Sequence, residues 1–359
     1  IPMMVGVALN GFLSVFRDPH TYVIPIDYYR QIVANSDYRT SSFGFVITRL
    51  QKNFYVKKVI PGSPSDIMGL RRGQQITQIN DWNLDNMNLN SLNDKIRSDN
   101  SEEIQIFVKD SYNATQRYHI KKATQARSTV HLKVLESTTP TALLTLDRFT
   151  RKSCEKVKSA LQEVREEGIR NLILDLRDNP GGQMDEAGCI ASLFTGPEKK
   201  IFTVKYLQTP ARNESYISED EQVYFGKIVV LVNRGTASAS EILAGVLREY
   251  KKAILIGEKT FGKGSFQEGD IWNLNSKMAL FETKGFYFLP SGFSPQKIGL
   301  SPDLTVVSPN SGSREDGQYW NSLELAHKEV EPTHTGLPFE ACLGRDSLAS
   351  NPDDPEITK

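Results

Sequence analysis

The chain of 359 residues is 39% hydrophobic and 24% charged, a composition that supports two or three domains with separate cores and excludes disorder throughout. Its 43 basic residues balance 43 acidic ones, so no long-range field points to nucleic acid or an anionic membrane, and a substrate must be recognised locally. Cys154, Cys189 and Cys342 form no CxxC pair, which argues against a disulfide framework or a zinc site and leaves a single bridge open.

The chain opens on "IPMMVGVALNGFLSVF", an apolar run shorter than the roughly 20 residues that span a bilayer. Val7, Phe12 and Phe16 fit one helix, which should end before "RDPHTYVIP" because Pro19 disfavours continuation. Neither a basic leader nor an initiating Met precedes the run, which suggests a trimmed chain whose targeting segment is gone. Residues 1–40 are therefore read as a truncated N-terminal helical segment.

Residues 41–123 form a small β-rich module in which "FGFVI", "FYVKKVI", "QQITQI", "EEIQIFVK" and "QRYHIKK" are short strands. Between them, Gly62 and Pro64 mark a turn, a short helix runs through Met68, and Gly69 and Gly73 break it. Arg71 and Arg72 follow as solvated charges or as a docking contact. The segment "SLNDKIRSD" carries Leu92 and Ile96 four apart, as core positions or as one wall of a groove.

From 124 to 308 strands alternate with longer helices: "TALLTLDRF" precedes a helix whose Val157, Ala160, Leu161 and Val164 share one face, and "NLILDL" leads into "RDNPGGQMDEAGCIASLF". "KIVVLV" leads through "NRGTASASEILAGVLREY" to "KAILIGE". This alternation predicts an α/β core with βα crossovers and a mainly parallel sheet. Phe202 to Tyr224, including "RNESYISEDEQ", is polar and reads as a lid or interaction loop. Residues 309–359 read as a linker, one helix around "YWNSLELAHKEV" and a loose tail.

Three stretches can carry chemistry. Asn233 to Thr236 occupy a strand-to-helix turn, where a hydroxyl meets the positive end of a helix dipole and free backbone N–H groups. Ser and Thr also serve there as plain N-caps. "GEKTFGKGSFQ" follows the next apolar strand and should emerge at the same end of the sheet, where ligands of open α/β sheets bind. Lys263, between Gly262 and Gly264, suits a tight turn that buries an amine and lowers its pKa, whereas Lys259 beside Glu258 reads as solvated. In "LRDNPGGQM", glycines after a buried strand let backbone N–H groups approach a ligand closely, or simply make a turn.

In the order "DPHTYVIP", a PDZ-like module, "LILDLRDNPGG", "NRGTASASEILAG" and "GEKTFGKGSFQ", the chain resembles the C-terminal processing peptidases, also called tail-specific proteases. The resemblance implies a crotonase-like (ClpP/crotonase) protease core with an inserted PDZ-like domain, and a serine endopeptidase with a Ser–Lys dyad, no catalytic His and no cofactor or metal. The nucleophile then falls on Ser238, the base on Lys263 and the residue orienting it on Gln267, with Ser240 supporting the helix. The oxyanion hole falls on the amides of Ala239 and Gly182, with Gly181 as the alternative. The carboxylate-binding loop corresponds to Ser42, Phe43, Gly44 and Phe45, with Ser42 where the family's first glycine stands, and Leu92 and Ile96 line its groove.

The implied partners are proteins or peptides with exposed C-termini, with a homo-oligomer or an adaptor protein also open and nucleic acid excluded. The implied setting is periplasmic, secreted or lumenal. An inactive PDZ adapter and a crotonase-like acyl-thioester enzyme are the competing readings.

Overall fold

A computed structural model of the chain describes residues 2–306, apart from 17, 27–28, 30–38, 61, 100, 111–112, 127, 136–138 and 272–276. Cys342 and the helix expected around residues 319–330 lie outside the described residues. The chain divides into two compact units, a smaller one built on residues 37–128 and a larger one that joins the N-terminal segment to residues 129–307. Among the described residues no helix is long and apolar enough to cross a membrane.

The N-terminal segment begins with α1 (Pro2–Leu13), continues as a 3-10 turn over Ser14–Phe16, and enters β1 (Tyr22–Pro25) through the Asp18–Thr21 turn. Asn10 ties helix to strand by donating to the Val23 carbonyl (2.9 Å) and accepting from the Val23 amide (2.8 Å). This segment is part of the larger unit: β1 adds antiparallel to a strand some 250 residues further on, Tyr22 opposite Phe281.

The smaller unit runs β2 (Arg39–Ser42), β3 (Phe45–Leu50), β4 (Asn53–Val59), α2 (Pro64–Ile67), β5 (Gln75–Ile79), α3 (Leu89–Ser98), β6 (Glu103–Lys109), β7 (Thr115–Lys121) and β8 (Ala123–Ala126). Strands β3 to β7 form one antiparallel sheet in sequence order, while β2 and β8 pair where the chain enters and leaves. β6 alternates buried residues with residues that are exposed or half-buried, the mark of a strand with one face on a core. Ser63 caps α2, its hydroxyl accepting from the Asp66 amide (3.3 Å), and Pro64 occupies the first turn, where its missing N–H costs nothing. Arg71, just after α2, pairs with Asp66 on that helix (3.6 Å).

The larger unit continues through β9 (Val130–Leu135), β10 (Thr141–Leu146), α4 (Ser153–Glu166), β11 (Asn171–Asp175), α5 (Met184–Thr195), β12 (Lys200–Tyr206) and β13 (Glu214–Ile217). It closes with β14 (Lys227–Val232), α6 (Ala239–Glu249), β15 (Ala253–Gly257), β16 (Ser265–Ile271), β17 (Met278–Phe288) and β18 (Leu304–Thr305). One sheet has the order β18-β15-β14-β11-β10-β9, parallel throughout except at β9. β15 is buried at every position, as a central parallel strand covered on both faces should be. A second, antiparallel sheet joins β1, β17, β12 and β13, with β16 also on β17. The polar stretch read as a lid or interaction loop is partly the β12–β13 hairpin, across which Phe202 and Tyr216 stack with ring centroids 5.2 Å apart.

Helices α4 and α5 are fastened twice. The Glu186 carboxylate on α5 accepts the Lys152 and Cys154 amides (2.7 Å each), capping an α4 N-terminus that has no side-chain cap of its own. A Cys154–Cys189 disulfide links the same two helices across a sequence separation of 35. The open question of a single bridge is thus settled by helix packing. Closing a loop of that length restricts the unfolded chain by about 3–4 kcal/mol. Denaturant unfolding of a Cys154→Ala, Cys189→Ala variant is expected to show a loss of about that size, and equal stabilities would mean that the bridge does not form.

Candidate active site

Four loops leave the carboxyl ends of β10, β11, β14 and β15, the edge of a parallel sheet at which ligands bind. Two of them, with the first turn of α6, carry polar residues that are fully buried: Asn179, Thr236, Ser240 and Glu241. Such groups persist inside a core only when hydrogen-bonded, and each of the four is. The Asn179 side chain donates to the Leu146 carbonyl (2.7 Å) and accepts from the Gly181 amide (2.9 Å), while its carbonyl accepts from the Ala237 amide (3.0 Å) and the Ser240 hydroxyl (3.0 Å). Thr236 donates to the Leu176 carbonyl (2.8 Å) and accepts from the Asn233 amide (3.0 Å).

Ser238 stands at the tip of this network, immediately before α6, with φ at +58° and ψ at −119°. A side chain in that region carries about 1–3 kcal/mol of strain, which the surroundings must hold in place. Here the Ser238 amide donates to the Glu241 carboxylate (2.9 Å), and the Ser238 carbonyl accepts from the Glu241 (2.7 Å) and Ile242 (3.0 Å) amides and faces the Tyr287 hydroxyl (3.1 Å). A strained strand-to-helix turn of this kind pushes a hydroxyl out of the helix end.

Glu241 reaches further. Its Oε1 accepts the Thr260 hydroxyl (2.5 Å) and the Gly262 amide (2.8 Å), while its Oε2 accepts the Ser238 and Lys263 amides (2.9 Å each). One carboxylate therefore clamps the turn that carries Ser238 to the loop that carries Lys263. Burial pushes its carboxyl above the usual range, and the four donors pull it back.

Lys263 is held to about 8 by burial, opposed by the charges of Glu241 and Asp18. At that value about one amine in ten is neutral at pH 7, some 300-fold more than for a free lysine. Its Nζ donates to Gln267 Oε1 (2.6 Å), and Gln267 Nε2 donates to Ser265 Oγ (3.2 Å) and Thr283 Oγ1 (3.2 Å). Ser238, Lys263 and Gln267 line one cleft of about 900 Å³ together with Gly182. No hydrogen bond joins the Ser238 hydroxyl directly to the Lys263 amine. Phe202, Val204, Tyr206, Tyr216 and Phe266 give the cleft an apolar wall.

The two glycines of the "NPGG" turn differ. Gly181 packs so closely on Ser238 that a Cβ would lie 2.8 Å from the Ser238 Cβ, and its amide is occupied by Asn179. Gly182, at φ +146°, bridges to Phe149, where a Cβ would fall 2.0 Å from the Phe149 carbonyl oxygen. Neither the Gly182 nor the Ala239 amide has an acceptor among the described residues; Ala239 follows Ser238 directly, and Gly182 lines the same cleft as Ser238. Among the described residues no group of three or more His, Cys, Asp or Glu side chains converges as a metal site.

In the smaller unit, β3 is an edge strand with α3 packed beside it. Ser42 ends β2, and Phe43 and Gly44 turn into β3 at Phe45. Gly44 adopts φ +89° against Ser63, whose hydroxyl donates to the Gly44 carbonyl (3.1 Å), and the Phe43 and Gly44 amides have no acceptor among the described residues. Leu92 does not line a groove: it is completely buried in the core of this unit, because it points from α3 into the sheet. Ile96, one turn later, is partly buried at the margin of that core.

Sequence reasoning missed Glu241, Asn179 and Tyr287. The Ser238-x-x-Glu241 spacing is a capping-box pattern and could have revealed Glu241. Nothing local marks Tyr287, whose buried hydroxyl meets the Ser238 and Lys263 carbonyls (3.1 and 2.9 Å) from a distant strand.

The sequence pattern of peptidase family S41 matches residues 140–306, and that of the PDZ domain matches residues 31–109. The chain is 30% identical over 314 residues to carboxyl-terminal-processing peptidase 3, chloroplastic, of Arabidopsis thaliana, covering 84% of this chain and 60% of that one. It is 30% identical over 328 residues to a carboxyl-terminal-processing protease of Picosynechococcus, covering 89% of this chain and 78% of the relative. Its fold is similar to that of the photosystem II D1 C-terminal processing protease, with a TM-score of 0.55 at 23% identity over 84% of this chain and 81% of the other.

Proposed function

The chain belongs to peptidase family S41, with the carboxyl-terminal-processing proteases, and from that membership we propose that it is a serine endopeptidase acting on proteins and peptides with exposed C-termini. The observation that carries this reading is the clamp by which Glu241 holds Ser238 and Lys263 at one cleft, with the lysine amine depressed to about 8.

A neutral Lys263 amine has two hydrogens and one lone pair. Donation of one hydrogen to Gln267 turns the nitrogen and leaves the lone pair for the Ser238 proton as Oγ attacks the peptide carbonyl. The contact between the two side chains forms when substrate is bound, as catalytic hydrogen bonds often tighten in the complex. The Ala239 and Gly182 amides receive the oxyanion, Gly182 being preferred to Gly181 because its N–H is free. The resulting ammonium protonates the leaving amine, and water then hydrolyses the acyl-enzyme with Lys263 again as base.

The parallel strands β10, β11, β14 and β15, linked through helices, support a crotonase-like core for this chemistry. The free edge of β3 and the unpaired loop amides support capture of a substrate's C-terminal carboxylate by strand addition. The Cys154–Cys189 bridge supports an oxidising compartment, periplasmic, secreted or lumenal.

Ser238→Ala is the direct test. Hydrolysis of an unstructured peptide should fall to background while peptide binding to the smaller unit is retained. Unchanged cleavage would remove Ser238 as the nucleophile, and a parent protein that binds but never cleaves would favour an adapter.

A further inference from the structure

The "DPHT" turn has no part in the chemistry above, yet it reaches the base. Asp18 organises it, with Oδ1 accepting from the His20 amide (3.0 Å) and Oδ2 accepting from the Thr21 hydroxyl (2.7 Å). With its own proton committed to Asp18, Thr21 Oγ1 is left as an acceptor, and it takes the Thr283 amide on β17 (3.1 Å). Thr283 stands opposite Gln267 in the β16–β17 ladder, beside the register shift between Phe266 and Gln267.

Gln267 must present its carbonyl oxygen to Lys263. Flipped, its NH₂ would oppose the ammonium donor to donor, or would donate to the lone pair that the neutral base needs for the Ser238 proton. What sets the orientation is the pair of hydroxyl acceptors, Ser265 and Thr283, that receive Nε2. A continuous path therefore runs from Asp18 through Thr21, Thr283 and Gln267 to the Lys263 nitrogen.

We propose that Asp18 and Thr21 are positioning residues for the Lys263 base, acting through Thr283 and Gln267; this rests on the Ser–Lys reading given above. The electrostatics agree with the geometry. The Asp18 carboxylate raises the Lys263 amine against its burial, while His20, held down to about 4 by burial and by the Lys263 charge, stays neutral beside it. The charged and titratable groups that act on the amine are thus Asp18 and His20 from the turn and Glu241 from α6, and the Asp18 and Thr21 substitutions leave His20 and Glu241 in place.

The test uses the whole chain as parent, Thr21→Val, Thr21→Ser and Asp18→Asn, with two readouts: kcat and KM on an unstructured peptide against pH, and titration of ¹³Cε-labelled lysine by NMR. Thr21→Val should lower kcat about 10- to 50-fold with KM within about twofold, and Thr21→Ser should restore it. Asp18→Asn removes a charge that holds the amine up, so both the acidic limb of kcat and the Lys263 resonance should titrate at lower pH than in the parent. The proposal is overturned if Thr21→Val retains parental kcat and only its melting temperature falls, or if Asp18→Asn leaves the Lys263 titration unmoved. Should Thr21→Val fail to fold, the Asp18→Asn titration decides alone. A parent without Ser238-dependent turnover would sink the peptidase reading instead, and the resonance would still report on the relay.

Discussion

Lys263→Met should lower kcat/KM by about 10²- to 10⁴-fold, the range expected for losing a general base, while making the folded protein more stable at neutral pH. The two effects have one cause. A lysine whose amine is pushed down to about 8 by burial disfavours the folded state wherever the unfolded chain holds a proton that the folded one resists. The folded value lies below the unfolded one, so the penalty is complete below pH 8, fades as pH rises towards 10.5, and vanishes above it. The gain in Lys263→Met should follow that course in denaturant titrations at several pH values. Stability that falls in the variant at pH 7 would mean that the amine is paired and charged in the parent, and the site could not then supply a neutral base.

Glu241→Gln is expected to damage both the fold and the chemistry. The carboxylate accepts four donors, two on each oxygen. An amide in its place turns an NH₂ against two N–H groups, or against a hydroxyl and an N–H, and each unsatisfied buried donor costs about 1–3 kcal/mol. A loss of roughly 2–5 kcal/mol in denaturant unfolding should follow, and because Ser238 and Lys263 are both anchored here, turnover should fall about 100-fold or more. The residual activity has a signature. Glu241 raises the Lys263 amine, so its neutral replacement should shift the acidic limb of the pH profile downward. A variant of parental activity would show that the clamp is architectural only.

The turn before α6 was legible because a buried strand, "KIVVLV", ends where a helical apolar face begins, but Ser238 was singled out within it only by the family resemblance, since Ser and Thr serve there as plain N-caps as well. Lys263 was legible through its flanking glycines: Gly262 sits at φ +93° and a Cβ at Gly264 would meet Ser294 Oγ at 2.4 Å, so the loop folds tightly enough to desolvate an amine. What the sequence hid was long-range. Tyr287 lies on a strand and Thr21 in the turn that enters one, and only sheet pairing brings β1 to β17, while the Cys154–Cys189 bridge depends on how α4 packs on α5. Leu92 stayed open between core and groove because periodicity marks a buried face without saying which of the two lies beyond it. The β12–β13 hairpin was hidden because its polar composition belongs to an edge strand that is exposed at three of its four positions.

The central claim is that a desolvated amine at Lys263 activates one alcohol, Ser238. Its most direct measurement is the rate of labelling by a serine-directed fluorophosphonate as a function of pH, with the adduct located by mass mapping in the parent and in Lys263→Ala. The adduct should map to Ser238, the rate should rise with an apparent pKa near 8, and labelling should be lost in the variant. An adduct on another residue, or a Ser238 rate that is flat across that range and unaffected by removing Lys263, would contradict it.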